Sequence, residues 1–326
     1  MARLFIAPAL VTVVALFAVL VLGGFEALIL ASILSVLEVT LSFDNAIVNA
    51  KVLHRMDERW QARFLTWGIL IAVVGTRLVL PILIVSAGVW MSPWAVAQLA
   101  VLNPEGYAHL LESAHYGIAS FGAAFLMMVS LKYFIDEHKD VHWIRVLEKR
   151  LAKWGHIDSL EIAVALIAIF AASLFVETAG SVVLGAGVVG VVLFIAMEGI
   201  VGSFQIPGAT AVSGATLFLY LNVLDSAFSL DGVVGAFALT TDLLIIVVGL
   251  GIGAYFVRTL TIYLVRVRAL EELRYLEHGA HWAILGLSLC MLFSLVVRVP
   301  EVVTGGIGLL FIALSYISSR QEAKRR

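Results

Sequence analysis

Long apolar runs separated by short charged stretches make up most of the chain. Runs of about 20 apolar residues, enough for a helix to cross the hydrocarbon core, recur along its whole length. They occupy roughly 4–23, 25–53, 63–88, 116–136, 160–177, 182–202, 208–239, 242–267, 280–298 and 302–319. The runs are too long for membrane strands and lack the strict alternation of a barrel. The pattern therefore predicts an all-α polytopic membrane protein with about ten transmembrane helices. The first run follows Arg3 and has a second reading as a signal peptide. Its length, beyond a signal core of roughly 7 to 15 residues, and the lack of a clear A-x-A site favour a retained span.

Composition agrees with the pattern. Of 326 residues 62% are hydrophobic and 13% charged, whereas a soluble domain carries about a quarter charged residues. A net charge of −2 excludes a basic nucleic-acid binder, and the single cysteine, Cys290, excludes an intramolecular disulfide. The position of the charges is more informative than their number. Of 21 Lys and Arg, 18 fall in the loops of one face of a ten-span arrangement, Arg298 alone falls on the other, and Arg77 and Arg258 lie within spans. Basic loops mark the cytoplasmic face, so both termini are expected in the cytoplasm, and the bacterial inner membrane is the expected location. The charged stretch 137–158 divides the chain into halves, 1–158 and 159–326. With Trp143, Ile144, Leu147, Leu151 and Trp154 at helical spacing, it reads as an amphipathic linker, solvated or lying along the membrane surface. The stretch 89–115, with Glu105, His109, Glu112 and His115, reads as a solvated outer loop.

The chain repeats itself at an offset of 187. SVLEVTLSFDNAIV at 35–48 faces NVLDSAFSLDGVVG at 222–235. Val36, Leu37, Ser42 and Asp44 match Val223, Leu224, Ser229 and Asp231, and Glu38 faces Asp225. Each copy is followed by a span with one arginine, Arg77 or Arg258. The copies fall in the second and seventh spans, so they cross the membrane in opposite senses. Inverted repeats of this kind build secondary transporters, with sites on interrupted helices at the repeat interface. An Asp at the centre of a spanning helix costs about 2.5–3.5 kcal/mol on insertion scales, so the four acids need partners. Six residues at 100° each leave the two acids of a copy about 120° apart on an ideal helix, and a local break would bring them together. Four carboxylates and two arginines leave a charge of −2, which one divalent cation balances; a purely structural ion-pair cluster is the alternative. The neighbouring donors Ser42, Asn45, Ser229, Asn49 and Asn222 are all oxygen-bearing. Such a set suits Mn2+, Mg2+ or Ca2+ rather than Zn2+ or Cu2+. Buried carboxylates that lose a cation can take up protons, the chemistry of proton exchange.

LEVTLSFDNAIV and VLDSAFSLDGVVGAFALTTD, the latter followed by Arg258 and then YLEHGAHWAILGLSLCML, resemble the signatures of the TerC family, membrane proteins first named for tellurium resistance. The resemblance implies manganese export, with proton exchange as the coupling, through metal-coordinating Glu38, Asp44, Asp225 and Asp231. Ser42, Asn45, Ser229, Arg77 and Arg258 are implied in support. Gly232, where many members have Ser, and Asp225, where the first copy has Glu, are departures.

No resident cofactor and no enzymatic activity are expected. The alternatives are an interaction or assembly factor in a metal or tellurite stress complex, and an Asp44/Asp231 protease dyad, which the missing GxGD context disfavours. Oligomerisation is left open, with a divalent cation and the lipid bilayer as the expected partners. Among the remaining polar residues, Lys132 is expected to snorkel, Asp242 to cap the eighth span, and Glu198 to make a cap or a polar interhelical bond. Glu177 has no repeat partner.

Overall fold

The computed structural model describes residues 2–203, 214–297 and 299–325, and the side chains of all of these except 2, 3, 88, 202, 203, 230, 231, 238, 301 and 302. Among the described residues every regular element is helical. The expected all-α polytopic architecture is what the chain forms. Among the described residues eight helices are long and apolar enough to cross a membrane, or nine if the bent pair Arg145–His156 and Leu160–Leu174 counts as one span.

The first long element, α1 (Ile6–Leu41), contains both of the first two predicted spans. Gly24 sits inside it with φ 78 and ψ −168, outside the helical region. A straight helix would hold Phe5 and Glu38 about 50 Å apart. Phe5, however, stacks edge-on against Tyr263, 5.8 Å between ring centroids, and the side chain of Glu38 lies against Gly253. Both partners belong to one helix, α12 (Leu243–Arg266), and are about 15 Å apart along it. The chain must therefore turn back at Gly24, where only glycine adopts the required backbone without strain. The predicted break between the first two spans is this reversal. The second arm sits flush on α12, because a Cβ at Gly249 would stand 2.6 Å from Leu34 Cβ.

A second break, at Ser42 (φ −97, ψ 15), separates α1 from α2 (Phe43–Leu53). Then come α3 (Glu58–Leu70), a π-helical stretch (Ile71–Val79) and α4 (Leu80–Val89). Two short helices follow, α5 (Pro93–Leu102) and α6 (Pro104–Ser113). These replace the expected solvated loop. Ser92 Oγ accepts from Ala95 N at 3.2 Å and Asn103 Oδ1 from Gly106 N at 3.0 Å, each followed by proline at the first helical position, a strong helix-start signal. Val96, Ala100, Tyr107 and Leu111 are buried with Val85 and Ile118, and Tyr107 meets Phe237 edge-on at 5.3 Å. This end of the bundle is closed by apolar packing.

The centre is α7 (His115–Phe134), buried along most of its length. Around it pack α9 (Leu160–Leu174), α10 (Gly180–Ser203), α11 (Gly214–Leu239) and α14 (Leu276–Ser294), with α2 against α11, α12 and α14 and α15 (Glu301–Arg325) outside α14. One core cluster draws on Ala46, Phe125, Ala165, Leu224, Ala280 and Ile312. The two halves divided at 158 thus interleave rather than forming separate bodies. The start of the predicted seventh span, at 208–213, lies outside the described residues, as does Arg298.

The stretch 137–158 is docked, which corrects the solvated-linker reading. It contains α8 (Arg145–Lys153) and a short 3-10 turn to His156, bent 111° against α9. Glu148 is its anchor and is wholly buried. Its carboxylate accepts from His278 Nδ1 at 2.7 Å, Trp282 Nε1 at 3.0 Å and the backbone N–H of Trp143 at 3.0 Å, with Lys139 Nζ at 3.7 Å. Burial alone would raise the Glu148 carboxyl, but the bonds from His278 and Trp282 and the charges of His278 and Lys139 outweigh it and hold it at about 2. Burial lowers Lys139 to about 8 despite the Glu148 charge.

Glu148→Gln should release the segment, since charge-assisted hydrogen bonds are worth about 1.5–3 kcal/mol each. Faster amide exchange across residues 137–158, with α7 unaffected, is the expected readout. In the native protein the Glu148 contribution is complete above its ordinary value of 4.5 and is lost as pH falls through about 2. The segment should stay protected from neutral pH down to about that ordinary value and loosen below it.

Candidate functional site

Each copy of the repeat pairs its first acid with the arginine one span further on. In the first copy Glu38 on α1 meets Arg77 in the π-helical stretch, with both side chains buried. The wider turn leaves the Ala72 carbonyl to be shared by Arg77 Nη1, at 2.7 Å, and Thr76 Oγ1, at 2.6 Å. π-helical turns are frequent at functional sites because they re-aim a side chain in this way. In the second copy Asp225 on α11 accepts from Arg258 Nη2 at 2.7 Å. Arg258 also reaches Asn222 Oδ1 and the Phe64 carbonyl, each at 3.4 Å. The copies are linked by Asn45 Nδ2, which donates to Asp225 Oδ1 at 2.7 Å.

The second acid of the first copy is placed differently. Asp44 is buried, accepts from Asn45 N at 2.8 Å and, among the described residues, has no basic partner. The break at Ser42 brings it beside Glu38. Ser42 N donates to the Glu38 carbonyl at 3.0 Å and Ser42 Oγ to Glu38 Oε1 at 3.1 Å. Glu38, Ser42 and Asp44 line a cavity of about 20 Å³, completed by Gly232 and Phe228 on α11, Ala283 and Leu287 on α14, and Thr304, Gly305 and Gly308 on α15. A volume of this size holds about one water. A Cβ at Gly232 would stand 3.0 Å from Glu38 Oε2.

Of the four expected ligands, the structure therefore brings Glu38 and Asp44 to one cavity. Asp225 is held in its own ion pair beside it, and no three acids, histidines or cysteines converge among the described residues. The side chain of Asp231 lies outside the described residues; its backbone is helical, next to Gly232. The expected helix interruption occurs in the first copy, whereas α11 runs unbroken through the second. Ser229 is buried with its hydroxyl unpaired. Thr304 and the two glycines of α15 escaped the sequence reading because they lie outside the repeat and carry no charge.

At the end carrying the basic loops, a larger cavity of about 560 Å³ opens between α2, α7, α9, α10 and α11. Lys132 stands on its wall between Glu161 at 3.6 Å and Glu198 at 3.9 Å, and Glu198 thereby makes a polar contact between helices. Asp242 caps α12, accepting from Leu244 N at 2.8 Å, as expected.

A family model described as a protein of unknown function, DUF475, matches residues 43–326. The chain belongs to this family. The match begins one residue past the Ser42 break, so it includes Asp44, Arg77, Asp225, Asp231 and Arg258 but not Glu38. No curated protein and no solved structure matches the chain.

Removing one partner of a buried ion pair costs about 3–5 kcal/mol, because the other charge is left uncompensated. Arg77→Met should therefore destabilise strongly, and Glu38→Gln in the same chain should restore much of the loss. Thermal unfolding in detergent of both single variants and the double variant would measure the coupling; additive losses would show that the pair does not act as a unit.

Proposed function

We propose that this protein is a secondary transporter that exports a divalent cation, Mn2+ first among the candidates, in exchange for protons. The observation that carries the reading is the single-ion cavity walled by Glu38, Ser42 and Asp44, in which Asp44 has no described basic partner. With Glu38 and Asp225 neutralised by their arginines, the charge left over belongs to Asp44 and, by sequence, Asp231. Two carboxylates match one divalent ion. Carboxylate and hydroxyl donors suit a hard cation, and the same carboxylates can carry protons on the return step. The likeness of both signatures to the TerC family supports the same substrate.

The basic loops support a cytoplasmic position for the wide cavity and an outer one for the apolar closure by α5 and α6. An ion enters from the wide cavity, is stripped of water at Asp44 and leaves when the outer packing parts. Inverted-repeat transporters work by rocking around such a fixed site.

Purified protein in liposomes should show saturable Mn2+ uptake that responds to a pH gradient. Asp44→Asn should reduce uptake to background while leaving the helix content and thermal transition intact. A folded native protein without saturable flux of Mn2+, Mg2+ or Ca2+ would sink the transporter reading and leave an assembly or interaction role.

A further inference from the structure

The central cavity and the wide cavity are separated by the contact between α2 and α11, and that contact is lined with amides. The two helices run antiparallel there: Asp44 shares the small cavity with Phe228 and Gly232, Asn45 binds Asp225, and Val48 and Val52 share the wide cavity with Leu217 and Tyr220. Asn45 and Asn49, one turn apart, point along the same face of α2. Both are almost fully buried, at 2% and 1% exposure, and the carbonyl oxygen of each is without a hydrogen-bond partner. Asn222, buried on α11, lies one turn from Asp225 toward the wide cavity. A buried acceptor left unpaired costs about 1–3 kcal/mol, so two on one helix face, between two cavities, call for donors or a cation to pass there.

The repeat shows that this lining is one-sided. At the offset of 187, Asn45 corresponds to Gly232, Asn49 to Ala236 and Asn222 to Ser35. The mates are small: Ala236 is buried in an apolar cluster with Val19, Ala27 and Ala31, and Ser35 spends its hydroxyl on the Ala31 carbonyl at 2.7 Å. Of the three mates, Ala236 and Ser35 are closed off by packing and by a bond to their own helix while Gly232 lines the central cavity, so the amides of the repeat lie on the side toward the wide cavity.

We propose that Asn49, Asn45 and Asn222 form a hydrated half-path between the wide cavity and the central site, with the Asn45–Asp225 hydrogen bond as its inner gate. Amide oxygens replace water around a divalent cation without adding the charge that would trap it. When a cation draws on Asn45, the amide turns from Asp225, which Arg258 continues to neutralise. This deepens the transport reading and rests on it for the identity of the ion.

The test is thiol labelling in a Cys290→Ser background, with a membrane-impermeant methanethiosulfonate applied to vesicles of each orientation. A tag on the basic C-terminal tail reports sidedness. Val48→Cys, on the wide cavity, and Asn49→Cys should both be modified from the basic-loop face, and Ala236→Cys from neither. Asn49→Cys left unmodified while Val48→Cys reacts would overturn the path. Failure of both would overturn the cavity from which it starts, and equal labelling of Ala236→Cys would overturn its one-sidedness. Labelling requires no transport. Absence of Mn2+ flux in the folded native protein, with labelling intact, therefore counts against the transport reading alone, whereas native flux with Asn49→Cys unlabelled counts against the path alone.

Discussion

Charge inside a membrane must be answered locally, and the two buried ion pairs answer it. Glu38 with Arg77 and Asp225 with Arg258 join each copy of the repeat to the helix that follows it. The remaining arrangements follow from holding those pairs. The glycine face of α12 admits the Glu38 arm, the π-helical turn re-aims Arg77, and Arg258 reaches across to the Phe64 carbonyl. Because the pairs absorb the first acid of each copy, Asp44 is left without a basic partner among the described residues.

The sequence was readable where the physics is local or periodic. Hydrophobic run lengths give the helices, and the reversal at Gly24 falls at the Gly23-Gly24 gap between the first two runs. The repeat located both acid pairs and both arginines, because identical residues at a fixed offset survive without any three-dimensional information. What it could not tell was which acid takes which partner. Glu38 and Asp44 look equivalent in the pattern, and only the 39 residues to Arg77 folded into place distinguish them.

Elsewhere local signals compete with one another, or none exists. Ser92-Pro93 and Asn103-Pro104 announce helix starts, yet Glu105, His109 and Glu112 made the stretch look solvated. Glu148 sits in a run of charges indistinguishable from a surface helix. Its burial depends on His278 and Trp282, 130 and more residues away, and no local rule foresees such a partner. Thr304 joins the central cavity only because α15 packs on α14.

Gly232 sets how closely α11 approaches the Glu38 carboxylate. Its missing side chain leaves the gap through which Glu38 Oε2 faces α11, only 3.0 Å from where a Cβ would stand. A methyl group at this position would press on the carboxylate at a distance tighter than most Cβ contacts, so Glu38 or α11 would have to give way. Any relative bearing a larger residue there would hold the same acids around a narrower hole.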